Sequence, residues 1–251
     1  MRQALSGVQL HFEDIHVSFG VTYQLQLEQL TVPAGRITAL LGPSGCGKST
    51  LLNLAAGYLS AQAGVVYHDS QPLVGPAPQT AFLFQQRNLF PWMTALQNIS
   101  FAIENKGISS ALAKKKAVQL LENMGLENYA HHYPSELSGG MQQRVVLART
   151  LAVQPRLFLM DEPFSALDSH AKQQMYIHIL QAWKKLGATF LIVTHDVEEA
   201  LALSHQIVVM HRHPKPGIGK ILSLSQDQPG QLNLAQKQDF IQSIYQVIQA
   251  S

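Results

Sequence analysis

The chain has 251 residues, 46% of them hydrophobic, enough for one large α/β domain with a buried core and too few for two of that size. Lys and Arg number 18 against 16 Asp and Glu, a formal +2, so no charge excess marks a nucleic-acid binder and no nucleic-acid partner is expected. A single cysteine, Cys46, excludes an internal disulfide framework and fits a reducing compartment.

From the amino terminus, Met1 to Leu10 is interrupted by Gln3, Ser6 and Gln9 and lacks the apolar stretch of a secretory signal, so a cytoplasmic placement is expected. Val8, Leu10 and Phe12 then alternate as on one side of a strand, and Tyr23 to Val32 forms a second strand with Leu25, Leu27 and Leu30. Pro33-Ala34-Gly35 turns the chain into Ile37 to Leu41, an apolar run of the kind buried in a parallel sheet.

Gly42-Pro43-Ser44-Gly45-Cys46-Gly47-Lys48-Ser49-Thr50 follows at once and satisfies G-x-x-x-x-G-K-[ST], between that strand and a helix predicted over Ser49 to Ala56. Glycines let successive backbone N–H groups turn inward around a phosphate, and the helix start adds its partial positive charge. Lys48 is expected to reach the terminal phosphates of a nucleoside triphosphate, and the Ser49 hydroxyl to ligate Mg²⁺. The same inward N–H groups and the Lys48 ammonium favour a thiolate, so Cys46 is expected to be unusually reactive, the alternative being an inert space-filler. A phosphate loop alone leaves kinases, GTPases and motor ATPases open.

Further strands are predicted at Thr80 to Phe84, Leu157 to Met160, Phe190 to Val193 and Ile207 to Met210, several followed by helix-like segments, which argues a parallel, helix-covered sheet. Gln85 follows the first of these and is suited to sense Mg²⁺ or an attacking water. Between Gln85 and Pro155 the periods become helical, with the three lysines Lys114 to Lys116 as a wet helix face. Within that stretch Leu89-Phe90-Pro91-Trp92-Met93 is apolar, but Pro91 argues against a continuous buried helix.

Asp161-Glu162 ends the strand Leu157 to Met160. An acid there beside a phosphate loop holds Mg²⁺, and Glu162, pointing to another face by strand alternation, is expected to be the general base. His195 ends the strand Phe190 to Thr194 on the same sheet edge, where open α/β sheets bind ligands. Ala200 to Met210 is the longest apolar candidate for a membrane span, and Ser204, His205 and Gln206 break it. The segment His211 to Gly217 is turn-like, Lys220 to Leu224 a short strand, and Gln236 to Gln249 a closing helix.

Leu137-Ser138-Gly139-Gly140-Met141-Gln142-Gln143-Arg144 resembles the signature motif of ABC transporter ATP-binding subunits. The other motifs stand in that family's order: Phe19 as adenine-facing aromatic, the phosphate loop, Gln85, the signature, Asp161-Glu162, Ser165-Ala166-Leu167-Asp168, and His195. The resemblance implies a P-loop NTPase α/β fold over 1–251, with a mainly parallel sheet, an N-terminal antiparallel β subdomain and a helical subdomain inserted at 87–154. It implies an ATP-hydrolysing translocase subunit that dimerises with a second copy of itself, Ser138, Gly139, Gly140 and Asp168 completing the partner's ATP site. Met141, where Gln is commonest, departs from the pattern. Transmembrane permease subunits and, indirectly, a solute-binding protein are the expected partners, with the chain peripheral on the cytoplasmic face of the inner membrane. Leu89 to Trp92 looks like the nitrate, sulfonate and taurine importer group, with thiamine-type importers also similar, and Phe90 and Trp92 are expected to line a groove for a permease helix. A soluble, non-transport ABC-type ATPase is the alternative; a P-loop kinase leaves the signature and His195 without a purpose, and exporters often fuse the cassette to membrane helices.

Overall fold

The computed structural model describes residues 7–20, 23–212, 216–224 and 229–249. Residues 1–6 of the amino-terminal stretch and His213 to Lys215 of the turn-like segment lie outside them. In chain order the first half runs β1 (Leu10–Phe19), β2 (Tyr23–Val32), β3 (Ile37–Leu41), α1 (Lys48–Ala56), β4 (Ala63–His68), β5 (Gln71–Pro72) and β6 (Thr80–Leu83). Then come α2 (Ala95–Glu104), α3 (Ser110–Asn123), α4 (Gly139–Ala152), β7 (Leu157–Asp161), α5 (Ser169–Leu186), β8 (Thr189–Thr194), α6 (Val197–Leu203), β9 (Gln206–His211), β10 (Gly217–Ser223) and α7 (Leu234–Gln249).

One sheet is antiparallel in the order β2-β1-β4-β5; the other runs β10-β9-β3-β8-β7-β6 and is parallel except for β10. Every residue of β3, β7 and β8 is buried, because both faces of these strands are covered. Phe158, Met160, Phe190 and Ile192 face the core shared with α2 to α5, while Leu157, Leu159, Leu191 and Val193 face α1 and the antiparallel sheet. Two-sided burial explains why these strands are continuous apolar runs rather than alternating ones. A third cluster joins Ala39, Leu41, Ile207 and Val209 to α6 and α7.

Three helices, α2, α3 and α4, occupy the stretch between β6 and β7. Ala200 to Met210 is divided between α6 and β9, and no described helix is long and apolar enough to cross a membrane. In β1 the inward set changes from Leu10 and Phe12 to Ile15 and Val17, because the register against β4 shifts between Glu13 and His16, where Asp14 takes φ +51°. Strands β4 and β5 gave no sequence signal. Only Val66 and His68 of β4 are buried, and Gly64 interrupts it because a Cβ there would lie 2.3 Å from the Asp14 carbonyl oxygen.

A hydroxyl at the start of β8 links it to the segments that flank β1 and β2. Thr189 at the start of β8, fully buried, donates to the Val8 carbonyl at 2.6 Å and accepts from Gly35 N–H at 2.9 Å. Trp183 Nε1 donates to the Gly35 carbonyl at 2.7 Å from the other side. Replacing the hydroxyl with a methyl keeps the volume and leaves the buried Val8 carbonyl unpaired, at about 1–3 kcal/mol, along with the half-buried Gly35 amide, at less. Thr189→Val is therefore expected to lower the urea midpoint, with a loss of roughly 2–4 kcal/mol, while nucleotide binding below the transition stays intact; unfolding followed by circular dichroism checks it.

Candidate active site

Parallel pairing brings three strand ends to one level: Leu41 lies opposite Thr194, and Asp161 opposite Val193. The segments that leave these ends enclose a cavity of about 650 Å³ lined by Gly42, Pro43, Ser44, Gly45, Gly47, Lys48, Ser49, Thr50, Gln85, Asp161, Glu162 and His195. Most of the residues singled out in the sequence therefore meet in one place. Gly42 must be glycine, since a Cβ would approach the Met210 carbonyl oxygen to 2.6 Å. Gly47, at φ +104°, starts α1 without a side-chain cap, which leaves the first amides of that helix for a ligand. Lys48 is folded onto its own loop, donating to the Gly42 carbonyl at 2.7 Å and the Pro43 carbonyl at 2.9 Å.

At the cavity floor Asp161 is buried, and burial raises its carboxyl above the ordinary range; Ser49, which hydrogen-bonds it, and Lys48 pull the other way, and Glu162 adds to the rise. The direction of Glu162 does not come from strand alternation. β7 ends at Asp161, and Glu162 takes φ +46°, a left-handed conformation that is strained for a residue with this side chain. Its backbone N–H donates to Val193 O at 3.1 Å, and its carbonyl accepts from Ser165 N and Oγ at 3.3 and 3.1 Å. The carboxylate is then bracketed: Gln85 Nε2 donates to Oε2 at 3.3 Å, and His195 Nδ1 lies 3.3 Å from Oε1.

The other predicted residues lie elsewhere. Phe19 is 52% exposed at the end of β1 and is not among the cavity-lining residues. Ser138 caps α4, accepting from Met141 N at 3.3 Å, and Asp168 caps α5, accepting from Ala171 N at 2.9 Å; backbone N–H groups hold its carboxyl below the ordinary range. Gly139 and Gly140 open α4, the first beneath the Arg87 guanidinium and the second against Ala166 and Leu167, so signature and Asp168 segments share a surface away from the cavity. Gln143 Nε2 donates to the Pro163 carbonyl at 2.8 Å and fastens that helix to the acid pair's turn. Val193, Val197, Tyr245 and Ile248 line the cavity but had no local sequence signal, because the last two arrive on α7, far along the chain.

The loop after Gln85 is built on one side chain. Asn98 Nδ2 donates to the carbonyls of Phe90, Met93 and Thr94 at 3.0–3.2 Å, and its Oδ1 accepts from Phe90 N at 2.9 Å. Held this way, Phe90 packs edge-on to Phe101 and beneath the Arg149 guanidinium, while Trp92, 5.7 Å from Phe90 between ring centroids, stays 69% exposed.

Residues 25–165 match the family described as ABC transporter. This chain belongs to that family. Members of the ABC transporter family hydrolyse ATP, and this cassette is an ATP hydrolase of their type. It is 41% identical to the taurine import ATP-binding protein TauB of Yersinia pestis over 79% of this chain and 76% of the relative, and 37% identical to the nitrate import ATP-binding protein NrtD of Synechococcus elongatus over 88% and 82%. A dimeric ATP-binding cassette solved in a post-hydrolysis state with ADP and Pi superposes with a TM-score of 0.76 at 29% identity, covering 86% of this chain and 99% of the other.

One expectation is overturned. Cys46 is wholly buried with its Sγ 3.7 Å from Lys48 Nζ, and burial raises the thiol's pKa more than Lys48 lowers it. The cysteine of this ABC cassette is a packed, neutral thiol. Alkylation by iodoacetamide at neutral pH should therefore be at least about 100-fold slower in the native protein than in urea; mass spectrometry of timed samples measures the ratio, and equal rates would restore the reactive thiolate.

Proposed function

We propose that this chain is the ATP-binding and ATP-hydrolysing subunit of an importer, in which two copies close on ATP and drive a separate permease. The observation that carries the reading is the Glu162 carboxylate, bracketed by Gln85 and His195 inside the cavity that the phosphate loop and Asp161 line. Glu162 takes the proton of the attacking water. Its strained backbone aims the carboxylate, Gln85 holds one oxygen, and His195 steadies the other. Loop amides and Lys48, once released from the Gly42 and Pro43 carbonyls, bind the phosphates.

The residues present suit Mg²⁺. One buried carboxylate, one hydroxyl and one amide oxygen, from Asp161, Ser49 and Gln85, are hard donors for an ion that keeps its waters and takes its remaining ligands from phosphate. Mg²⁺ would neutralise charge developing on the transferred phosphoryl group. A cation there would add to Ser49 and Lys48 in offsetting the burial of the Asp161 carboxylate.

Ser138, Gly139, Gly140 and Asp168 lie outside the cavity, which supports their serving the site of a second copy. Ser138 takes only the Met141 amide at the α4 N-terminus there, which leaves the Gly139 and Gly140 amides suited to a phosphate. Phe19, at the end of β1, serves as the adenine-facing aromatic. The cassette is peripheral to the membrane, and the stretch 87–154 acts as its helical subdomain. Phe90 and Trp92 form the seat for a cytoplasmic helix of the permease, because Asn98 fixes the loop that carries them, with Phe90 half-buried and Trp92 exposed. The taurine and nitrate relatives favour a small oxyanion-bearing solute as cargo. A ligand screen on the accompanying binding protein tests that assignment.

Glu162→Gln keeps shape and removes basicity. It should bind Mg-ATP normally, slow hydrolysis by about 100-fold or more, and run as an ATP-bound dimer in size-exclusion chromatography; near-normal turnover removes Glu162 from the mechanism. Trp92→Ala should leave ATP affinity and the unfolding midpoint unchanged while weakening complex formation by about 2 kcal/mol or more, measured by co-purification with the permease. Wild-type assembly and transport would return this loop to a purely structural role.

A further inference from the structure

Behind His195 stands a charged cluster outside the nucleotide cavity. Lys172, in the first turn of α5, places Nζ 2.6 Å from Glu199 Oε1 and 3.5 Å from Asp196 Oδ2. Glu199 Oε2 accepts from Thr194 Oγ1 at 2.6 Å, and that hydroxyl accepts from Asp196 N at 3.0 Å. Asp196 Oδ1 takes the first amides of α6, from Glu198 and Glu199, at 2.9 and 3.3 Å. Glu199 is 5% exposed, so its charge is tolerated because Lys172 and Thr194 satisfy both oxygens. Burial alone would lower the Lys172 ammonium's pKa, but Glu199 and Asp196 outweigh that and hold it above the ordinary lysine range.

The cluster grips the chain on both sides of one residue. Thr194 and Asp196 flank His195, whose ring is otherwise 68% exposed and touches Glu162 through a single 3.3 Å contact. With most of the imidazole exposed, its aim depends chiefly on the backbone that carries it. The other end of the cluster leads to the Asp168 surface: Lys172 N donates to Asp168 O at 2.9 Å, and Asp168 caps the same helix. One helical turn separates the capping aspartate from the ammonium that holds the histidine segment.

We infer that Lys172 and Glu199 are positioning residues: their partly buried ion pair aims His195 at Glu162 and makes that aim depend on the Asp168 end of α5, the end that the proposed function assigns to the second copy. The inference rests on the assignment of His195 to hydrolysis. An ion pair serving packing alone would change stability and leave turnover per folded molecule untouched, whereas a positioning pair alters kcat without altering nucleotide capture.

Steady-state ATPase assays on the full chain separate these. Lys172→Met should lower kcat about tenfold with KM for ATP within about twofold of wild type, and Lys172→Arg should restore it. In a His195→Ala background Lys172→Met should cause no further loss, since both changes remove the same contribution. Should Lys172→Met not fold, Glu199→Gln takes its place in the same comparisons. Wild-type kcat in the single variant, or an equal tenfold loss in both backgrounds, overturns the positioning role while a slow His195→Ala enzyme upholds the histidine assignment. A His195→Ala enzyme with wild-type turnover overturns that assignment and the positioning role with it.

Discussion

The phosphate loop, the acid pair and the histidine of the cavity depend on the parallel ladder β3-β8-β7. Because Leu41 pairs with Thr194 and Val193 with Asp161, the phosphate loop, the histidine and the acid pair leave the sheet within one residue of the same level. A slip of one residue would turn Asp161 to the other face and carry its carboxyl away from Ser49. Register is strongly specified because both faces are buried, with Phe158 stacked on Phe190 at 4.2 Å on one side and Leu159 and Leu191 packed over α1 on the other. The chemistry is thus aligned by hydrophobic packing that never touches nucleotide.

Around that ladder the molecule divides its duties among surfaces. The cavity opens at the strand ends, the capped starts of α4 and α5 share a second surface, and the Phe90 and Trp92 loop forms a third. These surfaces are joined by short rigid links rather than by loops free to move independently. Gln143 fastens α4 to Pro163, Lys172 fastens α5 to the histidine segment, and Arg149 bridges from α4 to the Asn88 carbonyl at 2.9 Å. Each of these links is a hydrogen bond or ion pair that a single substitution can cut.

The phosphate loop, the acid pair and the signature helix were legible because each is a local sequence device, a glycine pattern or cap beside an apolar run. The strands β2 and β3 were legible for the same reason, with bounds that match those expected. What escaped notice is non-local. Strand β4 holds its place through pairing with β1 instead of through its own pattern, Tyr245 reaches the cavity on a helix 200 residues from the phosphate loop, and the Lys172 to Glu199 pair joins two helices that no periodicity relates. The environment of Cys46 has no local signal because a loop that wraps an anion has an outer side as well: the thiol belongs to the buried cluster that includes Leu51, Leu52 and Met210.

Five described residues other than glycine have positive φ, and Asp14, Asp69 and Asn88 are of types that accept it readily. Glu162 is not, and its backbone carries a penalty on the order of 1–3 kcal/mol. Selection for heat resistance alone would favour glycine at that position, since it removes the strain and leaves the chain folded. If Glu162 is the base proposed above, the gain in melting temperature would come with a silent enzyme, so thermostable lineages of this cassette are informative only when screened for turnover at the same time.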